Sequence, residues 1–218
     1  MNVGGDLLFG GVSVGTNVGG TYDLDGGSLN VTGNIIEGAS DGGGGLTGAN
    51  SGVNSAQLHI DGGALSVGGD IIVQRFAVGE SGGSIGTYTI PAGQTVRSTG
   101  TTSIGASGTG TLILAGAGST LISNDAYVGE RTSGNGAVTI GDAGAEWEIT
   151  GAYRIGNSGT GLVSLFSGIL DANGGINMGV TASGDGTLVV GDGATNPVVE
   201  VSGGNTETAL FGTGKITV

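Results

Sequence analysis

One pattern recurs along this chain and restricts what it can fold into. Laid beneath one another, AQLHIDGGALSVGGDIIV (56–73), GTLILAGAGSTLISNDAYVG (110–129), GAVTIGDAGAEWEITGAYRIG (136–156), GLVSLFSGILDANGGINMG (161–179) and GTLVVGDGATNPVVEVSGG (186–204) share one plan. Each has a Gly, an alternating strand, a Gly-containing turn, a second short strand and an aliphatic-Gly pair. GTYDLDGGSLNVTGNIIEG (20–38) and GTYTIPAGQTVRSTGTTSIG (86–105) belong to the same set. Two markers fix the period. The first-strand aliphatic recurs at Leu112, Val138, Val163 and Leu188, at intervals of 26, 25 and 25. The Gly of the aliphatic-Gly pair stands at 79, 105, 129, 156 and 179, at intervals of 26, 24, 27 and 23. Repeats of this length mark stacked architectures.

Within a unit the apolar residues sit at i and i+2: Leu112/Leu114, Val138/Ile140, Val163/Leu165 and Leu188/Val190. Side chains so spaced share one face of a strand. No helical spacing is sustained, and Gly at this density would cost a helix about 1 kcal/mol per residue. A unit of two or three short strands buries its apolar face only against its neighbours. The expected fold is therefore all-β: a single-chain β-solenoid of about eight coils of about 25 residues, occupying 1–218 as one domain. Stretch 105–130 reads as one whole coil, with Leu112 and Leu114 facing inward, a turn at 115–119, Leu121 opening the second strand and Val128-Gly129 closing the unit. The polar, Gly-rich segment 38–55 reads as a protruding loop, and 74–84 as a second irregularity.

Composition narrows the partners. Gly makes up 53 of 218 residues with only 2 Pro, against an average Gly usage of roughly 7%. Neither collagen's strict triplet nor a linker without aliphatics fits. With 5 Lys+Arg against 18 Asp+Glu, net charge −13, the chain lacks the basic footprint that nucleic acid or an anionic membrane demands. No apolar run is long enough for membrane insertion. Absent Cys excludes disulfides and thiolate metal sites. The N-terminus MNVGGDLLFG shows no signal-peptide pattern, so export would use a signal removed or lying outside the sequence.

At the ends, MNVGGDLLFG aligns with LSVGGDIIVQ (65–74), and GTGKITV (212–218) with GTGTLIL (108–114). The C-terminus thus supplies a first strand and the N-terminus opens with a second. Open solenoid ends are pairing-competent edges. One explanation is excision from a longer chain. The other is head-to-tail self-assembly in which subunits complete each other's coil, a contact that does not close and so builds a filament. Its interface residues would be Val3, Leu7, Leu8 and Phe9 at one end and Leu210, Phe211, Ile216 and Val218 at the other.

GTGTLILAGAGSTL, DAYVGERTSGNGAVTIGDAGAEWEITGAYRIGNSGTG and the closing LFGTGKITV resemble repeats in the passenger regions of bacterial autotransporter adhesins. They equally resemble repeats of exosortase-sorted (PEP-CTERM) surface proteins. The resemblance covers most of 56–218 and, more loosely, 1–55. It implies a right-handed β-solenoid outside a bacterial cell, in adhesion, biofilm matrix or surface fibres. The chain departs from both families in carrying no translocator barrel and no PEP-type sorting tail.

Candidate chemistry is sparse, and the expectation is that the chain is not an enzyme. GESGG (79–83) and GVSVG (11–15) mimic serine-hydrolase segments, but Gly15 and Gly79 fall at aliphatic-Gly turns, and the one His, His59, alternates outward from Leu58 and Ile60. Glu146 and Glu148 flank Trp147 on one strand, while Asp125 and Asp142 fall in turns. A solvated acidic face explains them better than a glycosidase pair. Asp25 and Asp61 head equivalent Asp-Gly-Gly turns and are the candidate calcium ligands, against the simpler role of capping their own turn. Tyr127, Trp147 and Tyr153 are either a glycan-stacking patch or core fillers. The favoured function is an extracellular structural subunit of a filament or surface scaffold, with self as partner. The alternative is a cell-surface adhesin fragment that binds glycan or host protein through its side or the 38–55 loop.

Overall fold

A computed structural model describes residues 1–9, 11–13, 16–18, 20–37, 56–191, 197–202, 207–208 and 212–218. Among the described residues the fold is all-β with no helix, its parallel strands stacked into a solenoid of about seven turns about 25 residues apart. Each turn visits three faces. The first face carries Asn2–Val3, Ser28–Val31 and Ala64–Val67 as one sheet, then Ile85–Ile90, Thr109–Leu114, Asn135–Ile140, Thr160–Leu165, Asp185–Val190 and Thr213–Thr217 as another. The second face runs from Leu7–Phe9 and Ile35–Glu37 through 71–73, 95–98 and 120–123 to Glu146–Ile149, Ile169–Ala172 and Val198–Glu200. The third runs from Thr21–Leu24 and Gln57–Ile60 through 75–78, 101–104 and 125–128 to Tyr153–Ile155, Ile176–Met178 and Glu207–Thr208.

Alternation does what the sequence demands. Leu112, Leu114, Ile140, Val163 and Leu165 are wholly buried, and like residues stack on like in successive coils, as in Leu112–Val138–Val163–Leu188–Ile216 along the first face. Each such side chain contributes about 1.5–3 kcal/mol by leaving water.

Among the described residues, glycine recurs at one corner, between the third face and the first. There Gly79, Gly105, Gly129, Gly156 and Gly179 all take positive φ, between 58° and 74°, a region that residues with a Cβ avoid. The turn aims each N–H back at the coil below: Gly129 N–H donates to the Ile104 carbonyl at 2.9 Å, and Gly156 N–H to that of Val128 at 2.7 Å. The first-face glycines crowd the same oxygens. A Cβ on Gly136 would collide with the Ile104 carbonyl, and one on Gly161 with that of Val128. The aliphatic-Gly signature is thus a packing requirement. The aliphatic enters the core, its carbonyl serves the next coil, and two glycines leave room around it.

Three readings from the sequence are corrected by the register. The strands of 21–24 and 57–60 align by sequence with first strands, yet 57–60 pairs with 75–78, and 21–24 with 57–60, on the third face. Their Asp-Gly-Gly turns therefore lead from the third face to the first. An alternating strand before a Gly turn looks the same at either corner, so local sequence does not set the phase. Residues 74–84 are irregular only at Gln74, where the register shifts between Val73 and Arg75; 75–78 is an ordinary third-face strand and 79–84 an ordinary corner. Finally, Asn2–Val3 pairs with 30–31, beside Ala64–Val67, and so opens the chain on the first face rather than the second. The segment 38–55 lies outside the described residues; the strands on either side of it belong to the second and third faces. An antiparallel pair, Gly11–Ser13 with Thr16–Val18, occupies the equivalent place one coil earlier.

Candidate functional site

The side chains singled out from the sequence divide into those used inside the stack and those left on its surface. Asp61 belongs to the first group. Its turn lies directly over that of Asp25, with Asp61 N–H donating to the Leu24 carbonyl at 3.0 Å and Ala64 N–H to that of Gly27 at 2.9 Å. Asp25 is exposed, but Asp61 is 6% exposed. The Asp61 carboxylate accepts the Glu80 N–H at 2.5 Å, the Ser81 N–H at 3.1 Å and the Ser84 hydroxyl at 3.1 Å. Burial pushes its carboxyl up, and the bonds from Ser81, Glu80 and Ser84 outweigh it and hold the group below the usual carboxylate range. These partners are hydrogen-bond donors, the wrong surroundings for a cation. Among the described residues no cluster of three or more His, Cys, Asp or Glu is placed to hold a metal. For Asp61 the contacts are those of a cap, and the cap serves the next coil rather than Asp61's own turn.

The same device recurs at the first-to-second corner. Asp6 Oδ1 accepts Asn34 N–H at 2.7 Å, Asn34 Oδ1 accepts Asp70 N–H at 2.7 Å, and Asp70 Oδ1 accepts Thr95 N–H at 2.8 Å. Each Asx closes a gap between coils where the strand ladder is interrupted.

The aromatics separate by depth. Trp147 and Tyr153 are fully buried, edge to face with centroids 5.1 Å apart, and Trp147 Nε1 donates to Ser123 Oγ at 3.1 Å. They fill the core and leave no three-ring sugar platform. Ala126 stands beneath Tyr153 in the stack and makes room for it. The Tyr153 hydroxyl is buried without a hydrogen-bond partner among the described residues, and burial pushes its pKa well up. Tyr127 points outward, with the Arg154 guanidinium 5.3 Å from its ring centre and donating to its hydroxyl at 3.0 Å. Glu146 and Glu148 flank buried Trp147 on the outer side of the second face. His59 lies outward as expected, between Asp23 at 2.7 Å and Gln57 at 3.1 Å.

Sequence reading missed an ionic cluster. Arg75 contacts Glu80 at 2.6 Å and Glu130 at 3.5 Å, Arg131 reaches Glu80 at 4.0 Å, and Ser103 donates to Glu130 at 2.5 Å. Its side chains, except that of Arg131, are four-fifths or more shielded, so it ties several coils together. The signal was present: the Gly-Glu pairs 79–80 and 129–130 begin two copies of a two-coil repeat, with Gly79, Gly129 and Gly179 fifty residues apart. The alternating long and short intervals between aliphatic-Gly pairs are that repeat.

Those of the expected assembly residues that are described lie at the two ends of the stack. Val3, Leu7 and Leu8 pair with Val31, Ile35 and Ile36, and Leu8 is 62% exposed. Phe9 pairs with Glu37. At the other end Ile216 stacks on Leu188, leaving it 45% exposed, and Val218 is 99% exposed. Leu210 and Phe211 lie outside the described residues. Comparison with protein-family models, curated proteins and solved structures finds no match.

Proposed function

We propose that this chain is a structural protein, a stiff β-solenoid rod of an extracellular bacterial filament or surface scaffold, extended by contact between the open strand edges of its end coils. One observation carries the reading. The polar groups best able to do chemistry, Asp61, Asp70, Glu80, Glu130 and Arg75, are engaged in holding one coil to the next. A bacterial surface setting is supported by the likeness of the repeats to autotransporter-passenger and exosortase-sorted proteins.

The register refines how end-to-end growth would work. Asn2–Val3 already stands on the first face. Completing a shared coil therefore requires the last strand of one copy, Thr213–Thr217, to take the place that Asn2–Val3 holds on Ser28–Val31 of the next. Negative-stain microscopy of the purified chain beside Ile216→Asp tests this. Filaments from the parent chain and isolated short rods from the variant support it; equal polymerisation of the two rejects the end-strand contact, and compact particles in both reject the rod.

A further inference from the structure

The charge of −13 is not spread evenly around the rod. The second face turns Arg97, Glu146, Glu148, Asp171 and Glu200 outward. The third face holds Asp23, His59, Arg75, Asp125 and Arg154, with Glu80 and Glu130 folded beside it. The six-stranded part of the first face is different. Its middle outward row is Thr87, Thr111, Ala137, Leu162, Thr187 and Lys215, and the next is Thr89, Ile113, Thr139, Ser164, Val189 and Thr217. The remaining row adds a single charge, Asp185, and begins with Ile85, which is 72% exposed. The five strand pairings of this sheet run without a bulge, so the rows are continuous and the face regular.

From this segregation we infer that the first face is a lateral interface for a second copy of the same chain. Two rods of like net charge repel wherever their acidic faces meet, and this is the side on which they approach without opposing carboxylates. Threonine methyls and the scattered Ile, Leu and Val supply apolar area, while the hydroxyls meet without unpaired charge. Six strands about 4.8 Å apart, each about 20 Å long, span roughly 600 Å² per copy, or roughly 1,200 Å² in the pair. That lies at the lower bound for a specific interface. A two-fold pairing places the same patch on both copies, sheets about 10 Å apart, with Ala137 and Leu162 nearest the axis.

The inference rests on the structural reading above, and the two fail differently, because end-to-end growth lengthens rods and lateral pairing doubles them. Sedimentation velocity of the chain, run with end growth blocked by Ile216→Asp, is the test. A concentration-dependent dimer that strengthens as salt screens the net repulsion is expected. Thr111→Glu with Thr139→Glu should weaken it by roughly thirtyfold or more, since each copy then buries unpaired charge, while Glu148→Lys on the second face leaves the face intact. The chain lacks Cys, so Ala137→Cys gives an independent readout: a bis-maleimide reagent that spans the gap of about 10 Å between the sheets should cross-link two copies there, and not at Glu148→Cys. Monomers at every concentration, a dimer that salt dissolves, or cross-linking equal at the two positions would overturn the interface. Retention of a different macromolecule on the first face by a strictly monomeric chain would overturn it too.

Discussion

Placing a methyl group on Gly136 should break the stack locally, and the structure sets the size of the effect. The new Cβ falls against the Ile104 carbonyl, beside the Gly129 nitrogen and the Val128 side chain. That carbonyl accepts the Gly129 N–H at 2.9 Å, so methyl and N–H compete for one place. Restoring ordinary contact needs a displacement of roughly 1 Å, in a lattice whose strands stand about 4.8 Å apart. Overpacking of this kind costs about 1–3 kcal/mol, and a buried N–H left without its acceptor about 1–3 kcal/mol more. Gly136→Ala should therefore lose about 2–6 kcal/mol in urea unfolding followed by far-ultraviolet circular dichroism. Because a solenoid unfolds as coupled neighbours, the transition should also broaden, with the coils on either side of 129–136 separating. Gly82→Ala is the control. No described residue lies within 4 Å of its added Cβ and its φ is not positive, so it should change stability by no more than about 0.5 kcal/mol. If both variants unfold together with the parent, the glycine corner is not close-packed and the account of the aliphatic-Gly repeat is wrong.

Two further substitutions probe polar groups inside the stack. Tyr153→Phe removes a buried hydroxyl that has no partner among the described residues, so it should match or exceed the parent by about 1 kcal/mol; a clear loss of stability would mean the hydroxyl is bonded. Asp61→Asn removes the negative charge that gathers the donors of Glu80, Ser81 and Ser84. The folded-state pKa of Asp61 is lowered, so the parent's advantage should be present above the ordinary carboxyl value of 3.8 and fade as pH falls through the folded-state value. A difference between the two chains that does not vary with pH would refute that role.

The fold was legible because its signals are local and repeated. Alternation at Leu112/Leu114 and Val138/Ile140 told which side chains enter the core, and the aliphatic-Gly pair told where each coil closes. Phase was not legible in the early coils, because TYDL and QLHI followed by Asp-Gly-Gly have the same local form as a first strand and its turn. Only the pairing of 57–60 with 75–78 assigns them to the third face. Depth at corners was hidden for a related reason. Tyr127 lies two residues before its Gly and Tyr153 three before its own; that one-residue difference puts Arg154, not Tyr153, over Tyr127 and sends the Tyr153 ring inward against Trp147. The charge-poor first face could be read only after the register had gathered residues from six coils.

X-ray diffraction from an oriented, concentrated sample of the purified chain tests the structural account most directly. Rods of stacked coils joined end to end predict filaments with a meridional reflection near about 4.8 Å, the strand spacing along the axis. Monodisperse particles at the same concentration, with no axial order, would contradict it.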